Sequence, residues 1–242
     1  MTSKIETIYG THAVLAAWQN PSRICHRLYV SEKSLNNLPK DQSHLIKRPK
    51  PIIKDPKFFK SFFKDTTVHQ NMILECAIIE QPNLTKYLSH AKEKDLVIIL
   101  DQIQDPQNLG SIIRTATAFN AGAIILQEQN SASITPSAIK VATGAYEHMP
   151  IIHVNNLNQT IKTLKDAEYW VAAFAESGSQ FLHEYKPANK NVVLMGAEGP
   201  GLRDLLLKNA DMILKLPTCD KQSSINVANA TAIAIYEFSK TC

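Results

Sequence analysis

The sequence predicts an α/β fold in which a small mixed unit precedes a larger domain with a mostly parallel sheet and helices on both faces. After residue 95, short apolar runs alternate with segments of helical period. Uninterrupted apolar runs are typical of strands buried on both faces, and their alternation with helices is typical of α/β domains. Seven of the eight glycines also fall in this part, where tight turns are needed.

Residues 1–80 predict the small mixed unit. Thr11–Gln19 has the apolar spacing of a helix, while Arg27–Val30 and Met72–Ile79 have the composition of strands. Between them lies a lysine-rich stretch that four prolines interrupt. Residues 81–94 are polar and predict a linker.

The second domain is predicted to span residues 95–242. Six short apolar runs in it predict strands. They are Leu96–Leu100, Ala123–Leu126, Ile151–Val154, Tyr169–Phe174, Val192–Met195 and Met212–Leu216.

The charge is distributed unevenly between the two parts. Residues 1–94 hold 15 basic and 8 acidic side chains, a balance of +7, whereas residues 95–242 hold 11 and 14, a balance of −3. Such asymmetry indicates that the first part meets a polyanion. A solvated lysine-rich surface is the alternative.

Several classes of protein are disfavoured. No apolar run approaches the roughly 20 residues that cross a bilayer, and the first residues lack the apolar core of a signal peptide. We therefore expect a cytoplasmic protein without a membrane partner. The four cysteines form no Cys-x-x-Cys pair and the histidines show no metal-ligand spacing, so we expect neither a disulfide framework nor a metal site.

The first of three polar clusters that follow apolar strands begins at Asp101. Asp105-Pro106 predicts a turn, and either Asp105 or Asn108 can cap the helix that follows. Arg114 lies six residues after Asn108 in a helix of apolar and small residues. Its guanidinium needs a carboxylate, a phosphate or solvent, and a partly exposed structural ion pair remains an alternative to a functional role.

The second cluster follows the strand at Val192–Met195. Its glycines, Gly196, Gly199 and Gly201, do not have the Gly-x-Gly-x-x-Gly spacing of a dinucleotide site, and Glu198 would repel a pyrophosphate. The loop is better suited to a ligand without phosphates. A plain strand–turn–helix junction is the alternative.

The third cluster follows the strand that ends at Pro217. A polar loop leads to Ser224 and Asn226, which precede a helix of small residues. Alone, these two side chains would most often be helix caps. Ligands of α/β sheets bind at the carboxyl ends of strands, however, and all three clusters occupy such positions.

In order and spacing, these clusters resemble the SpoU, or TrmH-type, branch of the knotted SPOUT methyltransferases over residues 95–242. DPQNLGSIIRTA is similar to the first motif of the family, LMGAEGPGL to the second and LPTCDKQSSINVANATAIAIYE to the third. KVATGAYEHMP and IYGTHAV resemble the subgroup that methylates a guanosine in large-subunit ribosomal RNA. In that subgroup an N-terminal domain similar to ribosomal protein L30 binds RNA.

The resemblance implies a C-terminal trefoil knot, a homodimer and transfer of a methyl group from S-adenosyl-L-methionine to an RNA ribose 2'-hydroxyl. The implied catalytic residues are Asn108, Arg114, Glu198, Ser224 and Asn226. The implied donor-binding residues are Gly196, Gly199, Leu216, Pro217 and Ile225. The chain departs from the family at Asp220, where glycine is common, and at Ala228, where serine is common.

The family proposal that the matched arginine is a general base conflicts with the high pKa of guanidinium. We expect Arg114 instead to bind a phosphate and to stabilise the developing alkoxide. Three other functions stay open: methylation of a transfer RNA ribose, a non-catalytic RNA-binding or ribosome-assembly factor, and a nucleotide-dependent oxidoreductase. The spacing of the glycines argues against the last.

Overall fold

The computed structural model describes residues 5–40, 45, 48–62, 68–129, 131–219, 221 and 224–240. The strands are β1 (Ile5–Tyr9), β2 (Cys25–Val30), β3 (Ile52–Ile53), β4 (Met72–Ala77), β5 (Asp95–Leu100), β6 (Ala123–Gln127), β7 (Ile151–Val154), β8 (Trp170–Phe174), β9 (Gln180–Phe181), β10 (Lys190–Met195) and β11 (Met212–Lys215). The helices are α1 (Thr11–Gln19), α2 (Glu32–Leu35), α3 (Pro56–Phe62), α4 (Leu84–Leu88), α5 (Pro106–Ala118), α6 (Pro136–Val141), α7 (Leu157–Asp166), α8 (Asp204–Asn209) and α9 (Val227–Ser239).

The chain divides into two compact units. The first comprises Met1–Glu80 and Ile134–His148, and the second comprises Gln81–Ser133 and Met149–Cys242. The division differs from the sequence-based domain limits at two segments: residues 81–94, which belong to the second unit, and Ile134–His148, which lies far along the chain but packs in the first unit. There α6 contacts β1 and α1.

The first unit is built on a mixed sheet with the strand order β1-β4-β2-β3. β4 is antiparallel to β1 and β2, while β3 is parallel to β2. Helix α1 has the predicted bounds and buries its apolar side, including Val14 and Trp18. The short strands β1 and β3 were not predicted, because neither has the length or the apolar continuity that identifies a strand in sequence.

A buried ionic cluster joins the segment Ile134–His148 to the rest of the first unit. The Arg23 guanidinium lies 2.7 Å from the Glu6 carboxylate and 3.1 Å from that of Glu147. Asn20 donates a hydrogen bond of 2.9 Å to Glu147. Burial raises the pKa of both glutamates although the adjacent guanidinium opposes the shift.

The second unit contains a sheet of seven described strands in the order β7-β6-β5-β10-β8-β11-β9, and every pairing in it is parallel. Val97 and Ile99 of β5 pack with helices α7 and α8 on one face. The alternate residue Ile98 is equally buried, and α9 contacts the neighbouring β10. The prediction of a mostly parallel sheet within an α/β fold is confirmed.

Residues 81–94 are not a free linker, which corrects the sequence-based interpretation. Leu84 and Leu88 of α4 pack against the core of the second unit. The Tyr87 hydroxyl donates a hydrogen bond of 2.5 Å to the Asp95 carboxylate, and the Tyr169 hydroxyl donates to the same oxygen. The sequence pattern missed this packing because a five-residue helix gives too short a periodic signal.

Among the helices of the described residues, none is long and apolar enough to span a bilayer.

Candidate functional site

The three predicted polar clusters meet at one edge of the parallel sheet of the second unit. Strands β5, β10, β8 and β11 are consecutive neighbours in the sheet, and all run in the same direction. Their carboxyl ends therefore lie side by side. The first cluster follows β5, the second follows β10 and the third follows β11.

Helix α5 positions the first cluster. The Asp105 carboxylate accepts a hydrogen bond of 2.9 Å from the Gln107 amide, so Asp105 is the N-cap, and Pro106 occupies the first turn. Asn108 is thereby free to project from the first turn, where it is 8% exposed. A buried amide needs partners, and those of Asn108 come from the other two clusters.

The second cluster forms a narrow loop that turns back on itself. Ala197 and Gly201 pair across it, with the Gly201 amide 3.0 Å from the Ala197 carbonyl. A Cβ atom at Gly196 would lie 2.3 Å from the Gly201 backbone, so only glycine fits there. Gly199 and Gly201 have φ angles of 85° and 69°, which favour glycine. The loop therefore presents Glu198 at its tip.

Asn108, Glu198 and Asn226 form one hydrogen-bond network that joins all three clusters. The Asn226 Nδ2 donates to Asn108 Oδ1 at 2.9 Å and to Glu198 Oε1 at 2.7 Å. The Asn108 Nδ2 donates to the same Glu198 oxygen at 3.3 Å. Glu198 lies 90 positions after Asn108 along the chain, and Asn226 lies 118 positions after it. Only the fold brings the three side chains together.

The network also fixes the start of helix α9. Asn226 is its N-cap, because its Oδ1 accepts from the amides of Ala228 and Asn229 at 2.9 and 3.3 Å. The Glu198 carboxylate additionally accepts from the Val227 amide at 3.3 Å. A carboxylate at the N-terminus of a helix interacts favourably with the helix dipole. Glu198 and Asn226 are nevertheless accessible, so solvent and a ligand can reach them.

Arg114 lies apart from this network. It is exposed on α5, and six residues of helix place it about 9 Å along the axis from Asn108 and on another side. Within the described residues its guanidinium makes no hydrogen bond or ion pair with the protein.

Ser224 is exposed two residues before Asn226. Asp220 lies outside the described residues, and Ala228 is buried in the first turn of α9.

The predicted donor-binding residues surround the same strand ends. Gly196 follows β10, Leu216 and Pro217 follow β11, and Ile225 is 39% exposed beside Asn226. A Cβ atom added at Gly199 would meet no atom within 4 Å, so the loop backbone faces open space. Apolar side chains and accessible backbone fit a purine and a methionine chain, and they offer no cradle for a phosphate.

An ion pair that the sequence analysis missed supports the second loop. The Arg203 guanidinium donates to both carboxylate oxygens of Asp101, at 3.0 and 2.6 Å, and to the Gln127 side chain at 2.8 Å. The Asp101 side chain is 1% exposed, whereas that of Arg203 is 41% exposed. A carboxylate at the end of an otherwise apolar strand was the available signal, because a buried charge needs a partner.

The described part of the chain contains no group of three or more His, Cys, Asp or Glu side chains that could hold a metal ion.

Comparisons with known proteins find matches to both parts of the chain. The model of the SpoU rRNA methylase family matches residues 95–236, and a model described as RNA 2'-O ribose methyltransferase substrate binding matches residues 7–82. The chain is 32% identical to a 23S rRNA (guanosine-2'-O-)-methyltransferase RlmB of Pseudomonas putida, over 97% of this chain and 96% of the relative. It is 34% identical to the protein of the same name from Haemophilus ducreyi, over 96% of each.

A solved structure shares the fold over the same length. The SpoU methyltransferase AviRb from Streptomyces viridochromogenes, in complex with AdoMet, superposes with a TM-score of 0.80. The alignment covers 98% of this chain and 89% of AviRb, at 18% sequence identity.

Proposed function

We propose that this chain, which belongs to the SpoU rRNA methylase family, transfers a methyl group from S-adenosyl-L-methionine to a ribose 2'-hydroxyl of RNA. The favoured substrate is a guanosine of large-subunit ribosomal RNA, as the names of its relatives from Pseudomonas and Haemophilus indicate. The observation that carries the proposal is the network of Asn108, Glu198 and Asn226, which joins three separate motifs at one edge of the sheet.

Glu198 and Asn226 are proposed to position the reacting ribose. The Asn226 Nδ2 group donates to the Glu198 carboxylate, while its Oδ1 caps α9. The orientation of both side chains is therefore fixed before the substrate binds. Preorganised polar groups stabilise charge without reorganising during the reaction. Ser224, exposed beside this network, is proposed to relay the proton of the 2'-hydroxyl to water, alone or together with Asn226.

Arg114 is proposed to bind a phosphate of the RNA and to stabilise the developing alkoxide. Its side chain is exposed, so a phosphate of the RNA can reach it. A guanidinium matches the geometry of a phosphate with two parallel hydrogen bonds, which a lysine cannot reproduce. Full activity of an Arg114→Lys variant near neutral pH would contradict a need for the guanidinium.

The donor is proposed to lie against the backbone at Gly196 and Gly199 and against Leu216, Pro217 and Ile225. When bound, S-adenosylmethionine supplies an electrophilic methyl group on a sulfonium whose departing thioether is uncharged. The residues around it need only orient it, exclude water and leave the methyl group accessible to the 2'-oxygen. The narrow loop that Gly196 makes possible gives the donor a fixed wall of backbone.

We also infer a homodimer, a trefoil knot at the C-terminus and a cytoplasmic location. Phe119 of the α5 terminus and Ile233 and Tyr236 of α9 are 37%, 46% and 52% exposed, and the rings of Phe119 and Tyr236 lie 5.8 Å apart. Contiguous exposed apolar side chains on packed helices are typical of a subunit interface. The knot and the location are supported by family membership.

Calorimetric titration of the full-length protein with S-adenosylmethionine, and with S-adenosylhomocysteine alongside, tests the proposal. Micromolar binding of both ligands would support a donor site. Ile225→Asp, which places a carboxylate on the apolar wall, should weaken binding, whereas the matched change Ile24→Asp, at a 62% exposed position of the first unit, should not. The absence of binding to folded protein, also in the presence of RNA, would contradict the enzyme and favour a non-catalytic RNA-binding protein.

A further inference from the structure

One face of the sheet in the first unit is incompletely covered. Along β2, Leu28 and Val30 are fully buried, whereas Arg27 is exposed and Tyr29 is half-buried on the opposite face. Helix α3 lies over part of that face, because Phe59 packs against Tyr9 and Ile73 in the core. The remaining aromatic side chains of the helix are left at the edge of this contact.

The two remaining phenylalanine rings of α3 form an accessible cluster with Tyr29 of β2. The centroids of Tyr29 and Phe58 lie 5.0 Å apart, those of Phe58 and Phe62 lie 5.8 Å apart, and those of Tyr29 and Phe62 lie 6.1 Å apart. Phe62 is 37% exposed. The exposed part of Phe62 and the half-buried rings of Tyr29 and Phe58 offer aromatic surface on which a planar group can stack.

Basic side chains border the aromatic cluster. The Lys54 ammonium lies 5.2 Å from the centroid of Phe58. Arg27 lies two residues before Tyr29 on β2 and donates a hydrogen bond of 3.3 Å to the Glu75 carboxylate on the neighbouring strand. We call the surface formed by Arg27, Tyr29, Lys54, Phe58 and Phe62 the aromatic–basic surface.

More positive charge lies on the other side of α3. His69 stacks on Phe59 with centroids 5.6 Å apart. Burial, and then the charges of Lys140 and Lys60, lower the pKa of His69, and the Lys140 ammonium lies 6.0 Å from the centroid of Tyr9, which packs against Phe59. Along α3 and the residues just before it, the lysines 54, 57 and 60 outnumber the single carboxylate of Asp55.

The combination fits an unpaired polynucleotide better than it fits a protein or a duplex. Unpaired bases stack on aromatic rings in a sequence-tolerant manner, and lysines follow the phosphates. The bases of an A-form duplex are already stacked and cannot reach Phe62. A protein partner would need an acidic apolar patch to match this charge.

We propose that the aromatic–basic surface binds an unpaired segment of the substrate RNA, with bases stacked on Phe62 and Tyr29 and phosphates at Lys54 and Lys57. This inference rests on the proposed function, since it assigns a binding surface to the RNA substrate of that reaction. Binding at the aromatic–basic surface depends on bases that are free to stack, so this surface should bind RNA loops more tightly than RNA duplexes.

Fluorescence anisotropy of full-length protein with a labelled single-stranded RNA of about 12 nucleotides, and with its duplex, tests the surface. Base stacking is worth enough that Phe62→Ala should weaken single-strand binding about fivefold or more. Phe62→Trp should retain the affinity, and its emission should be quenched by RNA beyond any change from Trp18 and Trp170. Lys57→Ala should reduce the slope of log affinity against log salt by about 0.7.

Matched controls come from the same unit. Ile24→Ala removes an apolar side chain that is 62% exposed and lines a separate cavity of about 410 Å³, and Lys33→Ala removes an exposed lysine of α2. Both should change affinity less than about twofold.

Equal affinity of Phe62→Ala and wild-type protein, or an unquenched Phe62→Trp, would overturn the proposal, as would stronger binding of the duplex. A loss of contact with a ribosomal protein, rather than with RNA, in Phe62→Ala would overturn it too. The proposed function has its own readout, because donor titration does not involve this surface. Donor binding without single-strand binding would refute the surface alone.

Discussion

Asn226 has two roles, as the N-cap of α9 and as the donor that joins Asn108 and Glu198. We predict that a single substitution can remove the second role and keep the first. Asn226→Asp retains the oxygen that caps α9, since Asp and Asn are equally good N-caps. It removes the Nδ2 group that donates to Asn108 and Glu198 and brings a second carboxylate to the position 2.7 Å from Glu198 Oε1. Asn226→Ala removes the cap as well.

The expected magnitudes follow from the contacts. Because Asn226 and Glu198 are accessible to solvent, we assign about 0.5 kcal/mol to the bond with Asn108 and about 1 kcal/mol to the bond with the carboxylate. Carboxylate repulsion adds about 0.5 kcal/mol after the side chains relax, so Asn226→Asp should lower the free energy of unfolding by about 2 kcal/mol. Asn226→Ala should lose the two bonds and a cap of about 1 kcal/mol, or about 2.5 kcal/mol.

A second substitution should reverse most of the first. Glu198→Gln alone should cost about 0.5 kcal/mol, because it removes the charge near the α9 terminus but retains an acceptor. In the double variant the amide introduced at position 198 can donate to the carboxylate introduced at position 226, and the repulsion disappears. We therefore expect a total loss of about 1 kcal/mol, far below the sum of the single losses.

Urea-induced unfolding of full-length protein, with amide hydrogen exchange at Ala228 and Asn229 as the local readout, measures this cycle. The predicted coupling is about 1.5 kcal/mol. Methyl transfer should fall at least about tenfold in Asn226→Asp and should stay low in the double variant, because the proposed positioning groups are both changed. A coupling below about 0.5 kcal/mol would mean that the network contributes no specific stability and would refute the reasoning.

Three further changes have expected outcomes. Arg203→Ala leaves the buried carboxylate of Asp101 without its partner. Because Arg203 is 41% exposed, we expect the free energy of unfolding in urea to fall by only about 2 kcal/mol. A fall below about 0.5 kcal/mol would contradict a stabilising ion pair. Burial raises the pKa of Glu147 above 4.5 although Arg23 opposes the shift, so the contribution of this group to stability is present at low pH and declines as pH rises above 4.5. The melting temperature of wild-type protein should therefore fall relative to that of Glu147→Gln as the pH is raised from below 4.5, and parallel pH profiles would contradict this. Tyr236→Asp should convert a dimer to a monomer in light scattering, and an unchanged mass would place the interface elsewhere.

Six of the seven described strands of the second unit could be predicted because each is a short, mostly apolar run, whereas the two-residue β9 gives no such signal. Val192–Met195 and Ile151–Val154 are short, mostly apolar runs, and both are strands in the structure. β1 could not be predicted in this way, because Ile5 is 61% exposed and Glu6 belongs to the buried ionic cluster. Its place in the sheet depends on pairing with β4, a contact about 70 residues distant along the chain.

Ile134–His148 shows a similar limit. Its sequence follows the second domain without a change in composition, yet Glu147 is bound to Arg23 and Lys140 lies over the Tyr9 ring. Long-range partners of this kind leave no periodic signal in either segment. The same holds for Tyr87, whose hydrogen bond with Asp95 draws a polar segment into the second unit.

The sequence predicted which residues lie at the site, but it did not predict which of them are joined by hydrogen bonds. Polar residues after apolar strands indicated a shared edge, and Asn108, Glu198 and Asn226 do meet there. Sequence could not separate these three from Arg114, which lies on another side of α5, since all four were known only as motif positions. Nor could it identify Arg203 as the partner of Asp101, because no local rule links residues 102 positions apart.

Transfer of labelled methyl groups to ribosomal RNA from cells that lack this protein tests the proposed reaction most directly. The product should be a 2'-O-methylated guanosine at one position of the large-subunit RNA, recognised by resistance of the following phosphodiester to alkali and by mass spectrometry of the nucleoside. We predict that wild-type protein forms it and that Asn226→Asp does not at the same protein concentration. Methylation of a base, or no transfer by protein that binds the donor, would contradict ribose 2'-O-methylation.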